Sequence, residues 1–200
     1  MARSLFIRTV LFGLIMACFS LLFHNELEWS QWVQLKGNNT WDKPMQLISW
    51  TGEWFWVTTG ILSLFAWRFR LGIWAILVFA VESGLAQSLK RLIQAPRPLG
   101  LQAWTLRPIE GETFQSQWAM PSGHTASTIL ALFFLASHPA FQRKPIQIGL
   151  GLWALAVAYS RIYLGQHSLD DILGGALLGL FMCWLFEQRH HSKLSQWIDS

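Results

Sequence analysis

Charge is scarce in this chain. Asp, Glu, Lys and Arg make up 13% of its 200 residues, where soluble domains carry about 25%. Disorder does not explain the scarcity, because 52% of the residues are apolar and there are no low-complexity tracts or internal repeats. Cysteine is almost missing. Cys18 and Cys183 lie inside apolar runs, which excludes a disulfide framework or a cysteine metal site. Tyrosine falls to two while Trp reaches 13 and Phe 14. The formal net charge of +4 comes from basic residues dispersed along the chain, with no basic groove to bind nucleic acid. What is present is apolar sequence rich in Trp, a residue that gathers where a bilayer meets water. Composition therefore points to an integral membrane protein.

A spanning helix needs about 20 predominantly apolar residues. Six runs qualify or nearly qualify: 5–23, 47–67, 71–89, 125–137, 146–164 and 172–186. The fourth reaches full length if it starts near Met120, and the sixth if it starts near Ser168. The expected fold class is all-α, a six-transmembrane-helix bundle forming a single membrane-embedded domain over residues 1–200. A basic start followed by an apolar stretch also resembles a signal peptide. However, Met16 is bulky where cleavage before Cys18 wants a small residue, so 5–23 is read as a span. Gly175-x-x-x-Gly179, and Gly149 with Gly151, are read as helix–helix contacts.

The connections set an orientation. Arg68-Phe69-Arg70 and Gln142-Arg143-Lys144-Pro145 are short basic turns, and the positive-inside rule places both on the cytoplasmic side. Both termini then lie inside. The longer segments 24–46 and 94–120, which carry Trp29, Trp32, Trp41, Trp104 and Trp118, lie outside. They are read as polar loops with an interfacial Trp belt.

Three polar clusters break the apolar pattern. Residues 90–98 contain Lys90, then Arg97-Pro98. Residues 121–124 read Pro-Ser-Gly-His. Residues 160–171 contain Ser160-Arg161, His167 and Asp171. In a bundle whose helices alternate direction, the third–fourth and fifth–sixth connections fall on one side, so all three clusters can meet. Lys90, Arg97 and Arg161 would supply cations, and Arg matches phosphate oxygens with a planar fork. Ser122 and Gly123 precede a helix, where free backbone N–H groups favour an anion. His167 and Asp171 are four residues apart, one helical turn. The carboxylate can therefore hold one imidazole nitrogen and leave the other as a nucleophile. A second imidazole, His124, is available to protonate a leaving oxygen. No group of carboxylates is placed to hold a pair of metal ions, so the expected route uses no metal and no cofactor. Glu82, in mid-helix, is read as a buried structural hydrogen-bonding residue, with a place in the floor of the site as the alternative.

Together the clusters resemble the signature of the type 2 phosphatidic acid phosphatase superfamily, K-x6-RP, PSGH and SR-x5-H-x3-D, matched at every signature position and in order. Ser168-Leu169 stand where members often have Tyr-Pro. The resemblance implies that His167 is a nucleophile forming a phosphohistidine, Asp171 its orienting partner and His124 the general acid. It implies that Lys90, Arg97, Ser122, Gly123 and Arg161 bind phosphate. The implied activity is hydrolysis of a lipid phosphate or pyrophosphate at the outer face of a bacterial-type inner membrane. The expected partners are the lipid substrate and the bilayer. Undecaprenyl pyrophosphate is the first expectation for substrate, with phosphatidylglycerophosphate or phosphatidate next. A phosphotransferase acting on a lipid sugar is the enzymatic rival. A lipid carrier or channel subunit is the non-enzymatic one, and it predicts a broken catalytic set.

Overall fold

A computed structural model describes residues 3–21, 26–98, 106–113 and 118–188. Among them there are helices and no strands. The order is α1 (Arg3–Leu21), α2 (Glu26–Lys36), α3 (Asn39–Trp50), a π-helical turn (Thr51–Phe55), α4 (Trp56–Trp67), α5 (Phe69–Ile93), α6 (Gly123–Ser137), a 3-10 turn (Pro139–Phe141), α7 (Lys144–Tyr163) and α8 (Leu169–Gln188). Five of the apolar runs centre on α1, α5, α6, α7 and α8, whereas run 47–67 crosses the end of α3, the π-helical turn and α4. The sixth run reaches 20 residues as α8 from Leu169, but the fourth does not extend to Met120: α6 starts at Gly123 and stays at 15 residues. Another expectation is corrected. Segment 24–46 is not simply a loop, because α2 and the first turns of α3 occupy it. Asn38 explains the α3 start: its side-chain oxygen accepts the N–H groups of Thr40 and Trp41 at 3.1 and 3.2 Å, an N-cap that the apolar pattern does not register.

Helix α6 is the axis of the bundle. Every residue from Thr128 to Ser137 is buried, with Phe133 and Phe134 packed on Phe186 of α8 and Phe133 also near Phe6 of α1. Small residues let its neighbours close in. A Cβ on Gly60 of α4 would come within 2.6 Å of the Ala131 carbonyl oxygen. One on Gly179 of α8 would come within 2.8 Å of the Ala126 oxygen, and one on Gly175 would overlap the Ser122 carbonyl. The Gly175/Gly179 reading therefore holds. Gly151 packs likewise against Thr9 of α1, but Gly149 faces open space and makes no such contact. Such close approach matters in lipid, where apolar side chains gain little by leaving hydrocarbon and packing itself drives association.

The outside of the bundle is apolar. Phe12, Ile15 and Phe19 of α1, Leu77 and Val81 of α5, and Leu177, Phe181 and Trp184 of α8 are all exposed. Helices α5 and α8 are long and apolar enough to cross a membrane unaided, whereas Leu5–Phe19, α4 and α6 are shorter apolar stretches. Trp67 at the end of α4 lies 5.7 Å from the His138 ring at the end of α6, so the two basic turns share one end of the bundle. The three polar clusters occupy the other end.

The glycine contacts give a stability test. Gly175→Ala is expected to destabilise by about 1–3 kcal/mol, because overpacking against backbone cannot relax by rotamer change. Gly149→Ala fills empty space in a helix interior and is expected to stabilise by roughly 0.5–1 kcal/mol. Thermal unfolding midpoints in detergent check this, and equal midpoints for the two variants would contradict the packing described.

Candidate active site

Four helix ends build the site. Lys90 sits in the last turn of α5 and Arg97 just beyond it. The chain leaves α5 through Gln94 in the left-handed conformation (φ 53°), whose N–H closes on the Lys90 carbonyl at 3.0 Å, and Pro96 follows. Ser122, Gly123 and His124 form the start of α6, Arg161 lies in the last turn of α7, and Asp171 in the first turn of α8. Between α7 and α8, Gly165 at φ 69° lets the chain turn sharply and carries His167 inward.

A cavity of about 410 Å³ opens among these ends. Lys90, Arg97, Gly123, His124 and His167 line it, together with Gly52, Glu53, Val57, Phe79, Ser83, Gln87 and Ser127. Of the other predicted site residues, Asp171 lies behind His167, while Arg161 and Ser122 are buried beside it. His138, by contrast, sits at the opposite end of α6, where it caps the 3-10 turn. His190 and His191 lie outside the described residues. Among the described residues, no three His, Cys, Asp or Glu side chains converge as a metal-binding set.

The His167 Nδ1 lies 3.2 Å from Asp171 Oδ2, and the same oxygen accepts the Ser168 N–H at 3.0 Å. A carboxylate can only accept, so Nδ1 carries the hydrogen and Nε2 keeps its lone pair. Burial, with Arg161, Arg97 and Lys90 close by, pushes His167 well below the ordinary imidazole range. The ring is therefore neutral at physiological pH, as a nucleophile must be.

The cations are held in place. Arg161 donates to Ser49 Oγ at 2.6 Å, and Arg97 donates to the Gln166 carbonyl at 3.2 Å. Gln166 in turn donates to Glu112 Oε1 at 2.7 Å and to the Thr113 carbonyl at 3.0 Å, which ties residues 106–113 to the residue preceding His167. A second clamp holds the same segment: Arg107 forks onto Asp42 at 2.9 and 2.6 Å, and Tyr163 joins the pair. The guanidinium keeps the Asp42 carboxyl below its usual range.

One expectation changes in detail. The Ser122 N–H is not free for an anion, because it donates to the Asp171 carbonyl at 2.9 Å and so fastens the start of α6 to the start of α8. Glu82 is buried and hydrogen-bonded as expected, accepting from Ser83 at 3.3 Å and Ser127 at 3.2 Å, both lining residues. It thus forms the underside of the cavity floor. Sequence reasoning missed two residues outright. Glu53 Oε1 lies 2.9 Å from His124 Nε2, and Ser49 holds Arg161. The only signal was an acid within an apolar run.

Comparison with known proteins follows the same lines. A family model described as the PAP2 superfamily matches residues 71–194, well over half of the chain. The chain is 33% identical to Phosphatidylglycerophosphatase B of Bacillus subtilis over 121 residues, covering 57% of this chain and 55% of that protein. It is 37% identical to Lipid A 4'-phosphatase of Bacteroides thetaiotaomicron over 70 residues, covering 34% of this chain and 30% of that one. These matches thus span about half or less of the curated relatives' length. The crystal structure of a transmembrane PAP2 type phosphatidylglycerolphosphate phosphatase from Bacillus subtilis superposes with a TM-score of 0.68 at 26% identity, covering 93% of this chain and 96% of that one.

Histidine NMR tests the electrostatics independently of turnover. With 15N-labelled histidine in detergent, the ring signal missing from His167→Ala is expected to be that of a neutral imidazole at pH 6, where an ordinary ring with a pKa near 6.5 is mostly protonated. An imidazolium signal at that pH would contradict the environment described.

Proposed function

Because this chain belongs to the PAP2 superfamily, we propose that it is a membrane-embedded phosphatase that removes phosphate from a lipid through a phosphohistidine. The observation that carries this reading is the His167–Asp171 pair, with the free Nε2 turned to a cavity lined by cations. His167 Nε2 attacks phosphorus, the bond from phosphorus to the lipid oxygen breaks, and His124 gives that oxygen its proton. Lys90, Arg97, Arg161 and the Gly123 N–H take up the charge on the phosphoryl oxygens. Water then attacks the phosphohistidine while His124 accepts a water proton. Inorganic phosphate leaves and Nε2 regains its lone pair. The set Lys90, Arg97, Ser122, Gly123, His124, Arg161, His167 and Asp171 is complete, which disfavours a non-catalytic carrier.

The setting is part of the proposal. Six crossings, with both termini inside and the cavity outside, are part of this reading; what supports it is the apolar exterior, two of the eight described α-helices being long and apolar enough to span, and the two basic turns sharing one end. The phosphate would meet the cations at headgroup level while the acyl chains stay in the bilayer. The proteins matched by similarity carry names that refer to phosphatidylglycerophosphate and lipid A. Ser83, Gln87 and Ser127 below the histidines suit a polar glycerol or sugar next to the phosphate. A glycerol-type lipid phosphate therefore takes precedence over undecaprenyl pyrophosphate, whose chain beyond the diphosphate is hydrocarbon.

Phosphate release from phosphatidylglycerophosphate, phosphatidate and undecaprenyl pyrophosphate by purified protein tests the reading. His167→Ala is expected to be inactive on all three. Asp171→Asn is expected to keep KM while losing about 10²–10⁴ in kcat, as an unoriented imidazole does. A chelator is expected to change nothing, since protein cations carry the charge. Near-normal rates in either variant, or loss of activity to chelator with recovery on adding metal, refutes the mechanism. A phosphorylated lipid product in place of free phosphate identifies a transferase.

Orientation has its own test. With Cys18 and Cys183 replaced, Glu110→Cys is expected to react with an impermeant thiol reagent from outside intact cells, and Gln142→Cys is not. The reverse pattern would put the cavity in the cytoplasm.

A further inference from the structure

The general acid in this mechanism has a carboxylate partner that the three signature clusters do not contain. Glu53 Oε1 lies 2.9 Å from His124 Nε2. It arrives there by an unusual backbone. The long helical stretch from Asn39 to Trp67 is interrupted at Thr51–Phe55 by a π-helical turn, a feature frequent at functional sites. The turn is pinned from two sides. Thr128 of α6 donates to the Gly52 carbonyl at 3.1 Å, and Trp153 of α7 donates to Thr51 Oγ1 at 3.1 Å. A side chain at Gly52 would overlap Val157 and Thr128, at 2.5 and 2.8 Å, so the turn seats directly on α6 and α7. One helical turn before Glu53, Ser49 holds Arg161. This stretch therefore positions two site residues.

Charge explains why an acid belongs there. The groups facing His124 are Lys90 from α5, Arg161 from α7, His167 from the α7–α8 connection and Glu53. Among the described lining residues, Glu53 is the one carboxylate. A protonated His124 without it would stand among cations alone.

We propose that Glu53 is a positioning residue for His124, holding Nε2–H so that Nδ1 is the atom that gives and later takes the proton. When His124 is protonated, Nε2–H donates to Glu53 and Nδ1–H donates to the leaving oxygen. After transfer the ring is neutral with its remaining hydrogen still on Nε2, and the Nδ1 lone pair accepts the proton from water in the second half-reaction. The arrangement is the mirror of His167, where the carboxylate takes Nδ1 and Nε2 reacts. It rests on the phosphatase reading above.

The test compares wild type, Glu53→Gln, Glu53→Asp, His124→Ala and the Glu53→Gln/His124→Ala double variant in single-turnover reactions. The substrates are a short-chain phosphatidate, whose alkoxide needs a proton badly, and p-nitrophenyl phosphate, whose leaving group barely needs one. Glu53→Gln keeps the shape and loses the charge. It is expected to slow phosphatidate cleavage by roughly 10–100-fold, within the range of acid catalysis, and the aryl substrate only a few-fold. The basic limb of its pH–rate profile is expected to move down by about one unit, as removal of a neighbouring opposite charge requires. Glu53→Asp, which retains charge, is expected to recover part of the loss. In the His124→Ala background, Glu53→Gln is expected to cost nothing further. Equal losses on both substrates, an unmoved pH limb, or full additivity with His124→Ala would overturn the proposal while leaving the phosphatase standing. A wild type that releases no phosphate from either substrate overturns the phosphatase reading and this one with it.

Discussion

Asp171 joins parts of the chain far apart in sequence. Its carboxylate holds His167 and the Ser168 N–H, while its own backbone carbonyl holds the Ser122 N–H. One residue at the start of α8 thus fixes His167 and also the turn that begins α6, where His124 follows two residues later. Both contacts are buried, with Asp171 and Ser122 almost fully shielded. Buried polar groups left without partners cost about 1–3 kcal/mol each. The relative placement of the two histidines is therefore set by bonds that are expensive to break, as reaction geometry requires.

That link depends on how closely α8 approaches α6. Gly175 sits against the Ser122 carbonyl and Gly179 against Ala126. Anything larger at Gly175 would push the start of α8 away from the start of α6, and with it the Asp171–Ser122 bond. Small residues that look like packing detail thus govern the site. Residues 106–113 close this end of the bundle in a similar way, through Gln166 next to His167 and through Arg107 on Asp42.

Much of this was legible in the sequence, for physical reasons. Apolar runs mark helices because lipid and core both exclude charge. His167 and Asp171 meet as their spacing of four suggested, although His167 lies just before α8 and the Asp171 carboxylate reaches back to it. Alternating helix direction brings the clusters to one end. What was not legible depends on partners from distant segments. Glu53 and Ser49 lie in an apolar run with no motif around them, and their roles exist only once that helix packs beside α6 and α7. The π-turn leaves no periodic signature. The Ser122 N–H looked free because its acceptor is a backbone carbonyl 49 positions away, and backbone acceptors carry no sequence mark. Helix α2 was hidden because polar, Trp-bearing sequence reads equally as loop or interfacial helix.

The cavity also carries a gradient that no single cluster shows. Its lining along α5 runs through Lys90, Gln87, Ser83 and Phe79. At 1.5 Å per residue this descends roughly 16 Å from Lys90 to Phe79. Lys90, Arg97 and the two histidines stand at the top, uncharged polar groups come next, and Val57 and Phe79 lie with the apolar part. A phosphorylated lipid has the same order: phosphate, polar backbone, hydrocarbon. A soluble phosphate ester would gain from the top of this lining and nothing from its lower half. Discrimination between soluble and lipid phosphates therefore need not involve the reacting groups at all. It follows from how far the polar lining extends below His124 before it gives way to Val57 and Phe79.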